Sequence, residues 1–159
     1  MSTGGPGAAP ARLRRAHCVA DFRALARRRL PRMVFDFCDG AAEDELTLRR
    51  NEAAFADWDF LPKPLGGTEA RDQSVELFGR RLAMPVIIGP TGLAGMLWPE
   101  AEIATANAAA RAGTAYCMSH GSTSTIEQLA ARHQGPRWFQ VFMYRDRGLT
   151  KSFADRARA

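Results

Sequence analysis

From Met84 onward the chain repeats one alternation three times: a short, almost wholly apolar run, then a longer stretch with helical periodicity. The runs are Pro85-Val86-Ile87-Ile88-Gly89-Pro90, Thr114 to Met118, and Trp138-Phe139-Gln140-Val141-Phe142. A strand with one face in water alternates apolar and polar residues, whereas a strand apolar on both faces must be covered on both. The intervening stretches supply that cover. One runs from about Pro99 to Ala112 with Ile103, Ala104 and Ala108 on its buried side; a second from about Thr125 to Arg132; a third starts after Arg147 and continues to Ala159. The pattern predicts a βαβαβα series built on a parallel sheet. A dinucleotide-binding fold shares this periodicity, but no GxGxxG follows the first strand and no P-loop occurs, so a barrel is preferred.

Upstream, the pattern is helical. Phe22, Leu25, Ala26 and Leu30 recur at helix spacing after Asp21, a candidate N-cap, and Pro31 ends that element. A second helix is expected to carry Met33, Val34, Phe37 and Cys38 and to stop near Gly40, and a third to begin around Ala42 and bear Leu46, Leu48 and Phe55. Between Trp58 and Met84, prolines and glycines punctuate short segments, and alternation over Ser74 to Phe78 predicts a hairpin around Gly79 that plugs the bottom of a barrel. Residues 1–15 are expected to be a disordered tail and residues 16–159 a single domain.

The formal charge of +5 concentrates in Arg12, Arg14, Arg15, Arg23, Arg27, Arg28, Arg29 and Arg32. Such a run could touch nucleic acid or an anionic membrane, but interleaved aromatics and nucleic-acid motifs are missing, so it is read as a solvated helix face with no nucleic-acid partner. Cys18, Cys38 and Cys117 show no metal-binding or paired spacing and read as reduced thiols. No apolar run approaches the roughly 20 residues of a membrane span, and the start lacks a signal peptide's apolar core. The composition therefore fits a soluble, cytoplasmic protein without a metal site.

The segments Leu30-Pro31-Arg32-Met33-Val34-Phe35-Asp36-Phe37, Gly40-Ala41-Ala42-Glu43-Asp44-Glu45 and Arg50-Asn51 resemble the N-terminal signature of the FMN-dependent 2-hydroxy-acid dehydrogenases and oxidases. Met84 to Leu93 with Trp98-Pro99-Glu100 resembles that family's first barrel strand, most closely in its mandelate branch. Met118-Ser119, Ser124-Thr125-Ile126-Glu127 and Trp138-Phe139-Gln140 follow in the same order. The resemblance implies a truncated (β/α)8 TIM barrel: N-terminal helices plus about three βα units. It also implies an FMN cofactor, a small 2-hydroxy-acid substrate oxidised to a 2-oxo acid, and a homo-oligomeric full-length form; it leaves membrane association undecided. In a barrel the site lies at the carboxyl ends of the strands. Pro90, Thr91 and Gly92 are accordingly expected against the flavin, Ser119 and Gln140 on its polar atoms, and Phe37 and Phe142 on the substrate.

Two departures bear on activity. The family usually carries tyrosine at the positions matching Phe37 and Phe142, and each lost hydroxyl bond to a charged group would cost about 1.5–3 kcal/mol, roughly ten- to a hundredfold in rate. A smaller one is Ala101, where the family tends to have glycine. No catalytic residue is assigned within the chain: the family's base histidine, in a His-Gly-x-Arg context, is expected beyond Ala159. His120-Gly121 lacks the following arginine and reads as a loop, while His17 and His133 fall on expected surface segments. Glu127 reads as a helix-start charge, and Tyr144 as too far along its strand to replace the hydroxyl missing at Phe142. The last stretch, stopping inside an uncapped helix, suggests an incomplete reading frame. The chain alone is thus expected to be inactive, the competing possibility being a non-catalytic half-barrel that pairs with a complementary chain.

Overall fold

The computed structural model describes residues 11–64, 66 and 70–159, which fall in two compact units, Met1–Pro62 and Lys63–Ala159. Residues 1–10 of the expected tail lie outside the described residues; Ala11–Arg14 form one helical turn, α1, so helical structure begins inside the stretch expected to be unstructured.

The first unit is helical. Helix α2 spans Val19–Arg29 and is capped by Cys18, not Asp21. Asp21 instead occupies the third helical position, where its carboxylate accepts hydrogen bonds from the backbone N–H groups of His17 (2.8 Å) and Cys18 (3.3 Å), which hold its pKa below the ordinary value. An acid at this position satisfies donors that the helix start leaves free, so capping-box chemistry places the cap three residues before Asp21. Leu30 turns extended, as a residue before proline is pushed to do, and helix α3 follows over Arg32–Asp39. Its buried residue is Phe35; Met33, Phe37 and Cys38, expected to carry the apolar face, are exposed. The side chains of α3 are apolar on more than one face, and the face that carries Phe35 is turned to a hollow it lines with Arg27 and Leu30. Arg23 grips Asp39 with two N–H groups and ties α2 to α3. Helix α4, Leu46–Ala53, starts later than expected because Glu43 and Glu45 adopt positive φ (49° and 56°), and Phe55 falls in the 3-10 turn Ala54–Asp57 that extends it. The described arginines of the basic run, from Arg14 to Arg32, are all solvent-exposed.

The second unit carries the strands. β1 (Val75–Leu77) and β2 (Arg80–Leu82) form the expected antiparallel hairpin, joined by Phe78 and Gly79, both with positive φ (50° and 69°), the geometry that matches strand twist in a two-residue turn. The N–H of Ala83 donates to the Gly113 carbonyl (2.8 Å), so the hairpin attaches at the amino-terminal end of the next strand. β3 (Tyr116–Met118) pairs in parallel with β4 (Arg137–Phe139). The first apolar run makes only one parallel bridge, Ile88 to Tyr116, because Pro85 and Pro90 at its ends have no N–H for a ladder. Three consecutive extended segments therefore lie side by side in the same direction, as the alternation predicts.

Helices α5 (Ala101–Arg111), α6 (Ile126–Arg132) and α7 (Arg147–Arg158) follow the three segments in turn. The core joins Ile103, Ala106 and Ala109 of α5 to Tyr116 and Met118 of β3 and Leu129 of α6. Ala104 and Ala108, expected inside, are exposed. Alanine occupies so many positions of α5 that the sequence leaves its rotation open, and the sheet selects the face that also buries Glu102. At α6, Thr125 accepts from the Gln128 N–H (3.1 Å) and Gln128 Oε1 from the Thr125 N–H (2.9 Å), a reciprocal cap. Glu127, in the first turn of α6, binds Arg156 of α7 through two bonds of 2.7 and 2.9 Å, which lower its carboxyl pKa to about 2.

Candidate ligand site at the strand ends

Each of the three extended segments ends in a loop, and the loops meet. The N–H of Leu93, in the left-handed region at φ 55°, donates to the Gly121 carbonyl (2.9 Å), joining the first loop to the second. A Cβ at Gly92 would lie 3.5 Å from that carbonyl oxygen and 3.7 Å from Ser119 Oγ, ordinary van der Waals distances, so the first two loops run in contact here. Ser119 directly follows β3 and is 5% exposed; its hydroxyl accepts from the Gly121 N–H (3.2 Å) and donates to Gln140 Oε1 (3.2 Å). Gln140 directly follows β4, and its Oε1 also accepts from the His120 N–H (3.3 Å). A glutamine amide in an apolar setting needs such partners. Both bonds fall on the oxygen, which leaves the amide N–H groups as the donor that this cluster offers.

Of the residues singled out from the sequence, Gly92, Ser119 and Gln140 therefore come together, with Pro90 and Thr91 exposed immediately ahead of Gly92. Phe142 joins them through His120, whose ring stacks on it at 4.9 Å; Phe142 is 51% exposed. Phe37 lies on α3 of the other compact unit and is 67% exposed there.

Three polar groups escaped the sequence reading. Glu102 is 1% exposed, and its carboxylate accepts from the Thr123 N–H (2.7 Å), the Thr123 hydroxyl (2.7 Å) and the Ser124 hydroxyl (3.1 Å). Burial pushes its pKa up, but these bonds outweigh it and hold the carboxyl below its ordinary value. It anchors the loop that begins at Ser119. The signal available was the run Ser122-Thr123-Ser124-Thr125, a dense row of hydroxyl donors, but nothing in the sequence named their acceptor. His133, expected on the surface, is 1% exposed, with Nδ1 3.3 Å from Asn107 Oδ1 and Nε2 buried without a hydrogen-bond partner. Burial, and secondarily the charge of Arg137, lower its pKa. The small residues Ala110 and Gly135 make room for its ring: a Cβ at Gly135 would lie 2.7 Å from His133 Cε1 and 2.7 Å from Ala110 Cβ. The third is the ring of His120. Among the described residues no three His, Cys, Asp or Glu side chains converge as metal ligands, and no helix is long and apolar enough to cross a membrane.

Parallel strands covered by helices, with a glycine, a hydroxyl and an amide gathered at their carboxyl ends, define part of a barrel-type α/β protein, a class in which ligands bind at that end of the strands. The chain belongs to the FMN-dependent dehydrogenase family, whose model matches residues 26–159. It is 43% identical over 125 residues, 79% of its length, to the (S)-mandelate dehydrogenase of Pseudomonas putida, and 39% identical over 141 residues to the L-lactate dehydrogenase of Pseudomonas syringae pv. syringae. A glycolate oxidase from Oryza sativa is 37% identical over 139 residues. Among solved structures, a soluble mutant of the membrane-associated (S)-mandelate dehydrogenase from Pseudomonas putida superposes with a TM-score of 0.81 at 40% identity, covering 88% of this chain and 40% of that one. A mandelate oxidase gives 0.82 at 32% identity, covering 88% of this chain and 42% of that one. The chain spans 32% of the mandelate dehydrogenase, 37% of the lactate dehydrogenase and 38% of the glycolate oxidase, roughly a third of each.

The residues at the strand ends fit a flavin. Gly92 leaves bare backbone of the kind a flat ring can approach, and Gln140 and Ser119 together provide both a donor and acceptor lone pairs, the complement of a heteroaromatic edge that carries both N–H and carbonyl groups.

Proposed function

We propose that this polypeptide forms the opening part of an FMN-dependent oxidoreductase that converts a small 2-hydroxy acid to the 2-oxo acid. The observation that carries the reading is the Ser119–Gln140 bond, made across the ends of β3 and β4 with Gly92 packed against it. FMN, when bound, supplies the two-electron acceptor. The chain's residues supply the surroundings. Gly92 gives close access, Gln140 offers its amide hydrogens to the polar edge of the ring, and Ser119 with the His120 N–H fixes the amide so that those hydrogens face a defined direction. Phe142 offers substrate an apolar surface without a hydroxyl, so the carboxylate of the hydroxy acid must be held by groups other than this one.

Three strands make only part of the eight-strand ring that encloses a barrel site. The purified 159-residue chain is accordingly expected to show no stoichiometric flavin absorbance and no turnover of lactate, glycolate or mandelate. Fused in frame to the remaining two-thirds of the Pseudomonas putida enzyme, it is expected to give a yellow protein. In that fusion Gln140→Leu removes the amide and strands two donors, Ser119 Oγ–H and the His120 N–H, each worth about 0.5–1.5 kcal/mol. Flavin affinity should fall roughly tenfold or more. A fusion that keeps its flavin affinity after Gln140→Leu, read by fluorescence titration, would show that the amide does not face the ring.

A further inference from the structure

Next to Ser119 and Gln140 lies a group for which the proposed chemistry has no use. The imidazole of His120 is enclosed by rings drawn from three segments: Phe142 stacks on it at 4.9 Å and 29°, Phe153 of α7 meets it edge-on at 4.7 Å and 70°, Tyr144 sits at 5.1 Å and Phe139 of β4 at 6.2 Å. Its Nε2 is hydrogen-bonded to the Tyr144 hydroxyl, its Nδ1 is buried without a partner, and its backbone N–H holds Gln140 Oε1. A buried N–H left unpaired is rarer and costlier than an unfilled lone pair. The proton therefore belongs on Nε2, donated to the Tyr144 oxygen, with Nδ1 as bare acceptor. That bond fixes the ring's rotation, and the fixed ring backs one face of Phe142 while the half-exposed remainder of Phe142 stays open.

We infer that His120 is a positioning residue that holds the Phe142 ring and the Gln140 amide in one rigid wall, and that this wall selects 2-hydroxy acids with a flat aromatic side chain over short aliphatic ones. The inference rests on the flavoenzyme reading above and adds a substrate class to it. A flat side chain gains a stacking surface on the open face of Phe142; a methyl group gains little. An unsupported Phe142 would rotate and present edge and face in turn, and the preference would be lost.

Two measurements test it. In the chain itself, long-range proton–nitrogen spectra should show His120 protonated at Nε2 and bare at Nδ1, and three-bond couplings should show Phe142 held in a single χ1 rotamer. His120→Ala should let Phe142 average over rotamers, and His120→Phe, which restores an aromatic backing, should hold it in one again. In the flavin-loaded holoenzyme that contains this chain, His120→Ala should lower the ratio of kcat/KM for mandelate over lactate by about two- to tenfold, the range expected of one aromatic pair. The loss should appear mainly as a raised KM for mandelate, flavin content should stay unchanged, and His120→Phe should restore the ratio. A Phe142 that averages over rotamers in the wild type, or a His120→Ala holoenzyme that loses both substrates equally or neither, overturns the inference. A colourless wild-type holoenzyme in which the imidazole and ring signatures are nonetheless intact would count instead against the flavoenzyme reading, and the substrate selection would fall with it.

Discussion

Replacing Glu102 by glutamine keeps the shape of the side chain and removes its charge, which makes the variant a clean probe of the loop that carries Ser119. The carboxylate receives three hydrogen bonds: two on Oε1, from the Thr123 N–H and hydroxyl, and one on Oε2, from the Ser124 hydroxyl. A glutamine has one acceptor oxygen and one donor nitrogen. With its oxygen toward Thr123, its NH2 group faces the Ser124 hydroxyl, and the bonds that survive are no longer charge-assisted. Hydrogen bonds to charged groups contribute about 1.5–3 kcal/mol against 0.5–1.5 for neutral ones, so the expected loss is roughly 2–3 kcal/mol. For a unit of this size that lowers the melting temperature by about 8–24 °C. Thermal unfolding followed by circular dichroism reads the shift, and hydrogen exchange at the Thr123 amide reads the local loosening. The cycle with Thr123→Val should show coupling above about 0.5 kcal/mol, since the two residues share a bond. A Glu102→Gln variant within about 0.5 kcal/mol of wild type, as for an ordinary surface change, would mean that the carboxylate is not what anchors this loop.

Two further perturbations follow from the same packing. The N–H of Gly95 donates to Thr123 Oγ1 (3.1 Å), and a Cβ at position 95 would lie 2.9 Å from Thr123 Cβ and closer still to Oγ1; Gly95→Ala should therefore cost about 1–3 kcal/mol by overpacking, and an unchanged denaturation midpoint would show that the loop yields. At His133 the folded-state pKa lies below its ordinary 6.5 through burial and the Arg137 charge. Its contribution to stability is thus fully present above about pH 6.5 and is lost as pH falls from there toward the folded value. The slope is up to about 1.4 kcal/mol per pH unit. His133→Gln should flatten the stability–pH curve in that window, and an identical curve in the variant would refute the assignment.

The parts of the fold legible in the sequence were those set by local chemistry. Apolar runs of strand length between helical stretches implied parallel strands under helices, the glycine at position 79 marked the hairpin, and Gln140, a polar residue in an apolar run, marked a place where a partner had to be supplied. Boundaries were less legible where a side chain could serve two positions. Asp21 suits the cap itself and the third helical residue equally by type, and only the backbone path chose between them.

What the tertiary structure alone decided has a common cause: contact between residues far apart in sequence. The rotation of α5, which buries Ala106 and Ala109 and exposes Ala104 and Ala108, was undetermined because alanine costs almost nothing on either side of a helix. Glu102 could be buried because the hydroxyls of Thr123 and Ser124 arrive from more than 20 residues away. His120 reads as a loop residue until Phe142, Tyr144 and Phe153 close around it. Residue type and local period fix which segments become strand or helix and which strand ends carry polar groups, while the partner that makes a buried charge or an imidazole tolerable is set only when the chain packs against itself.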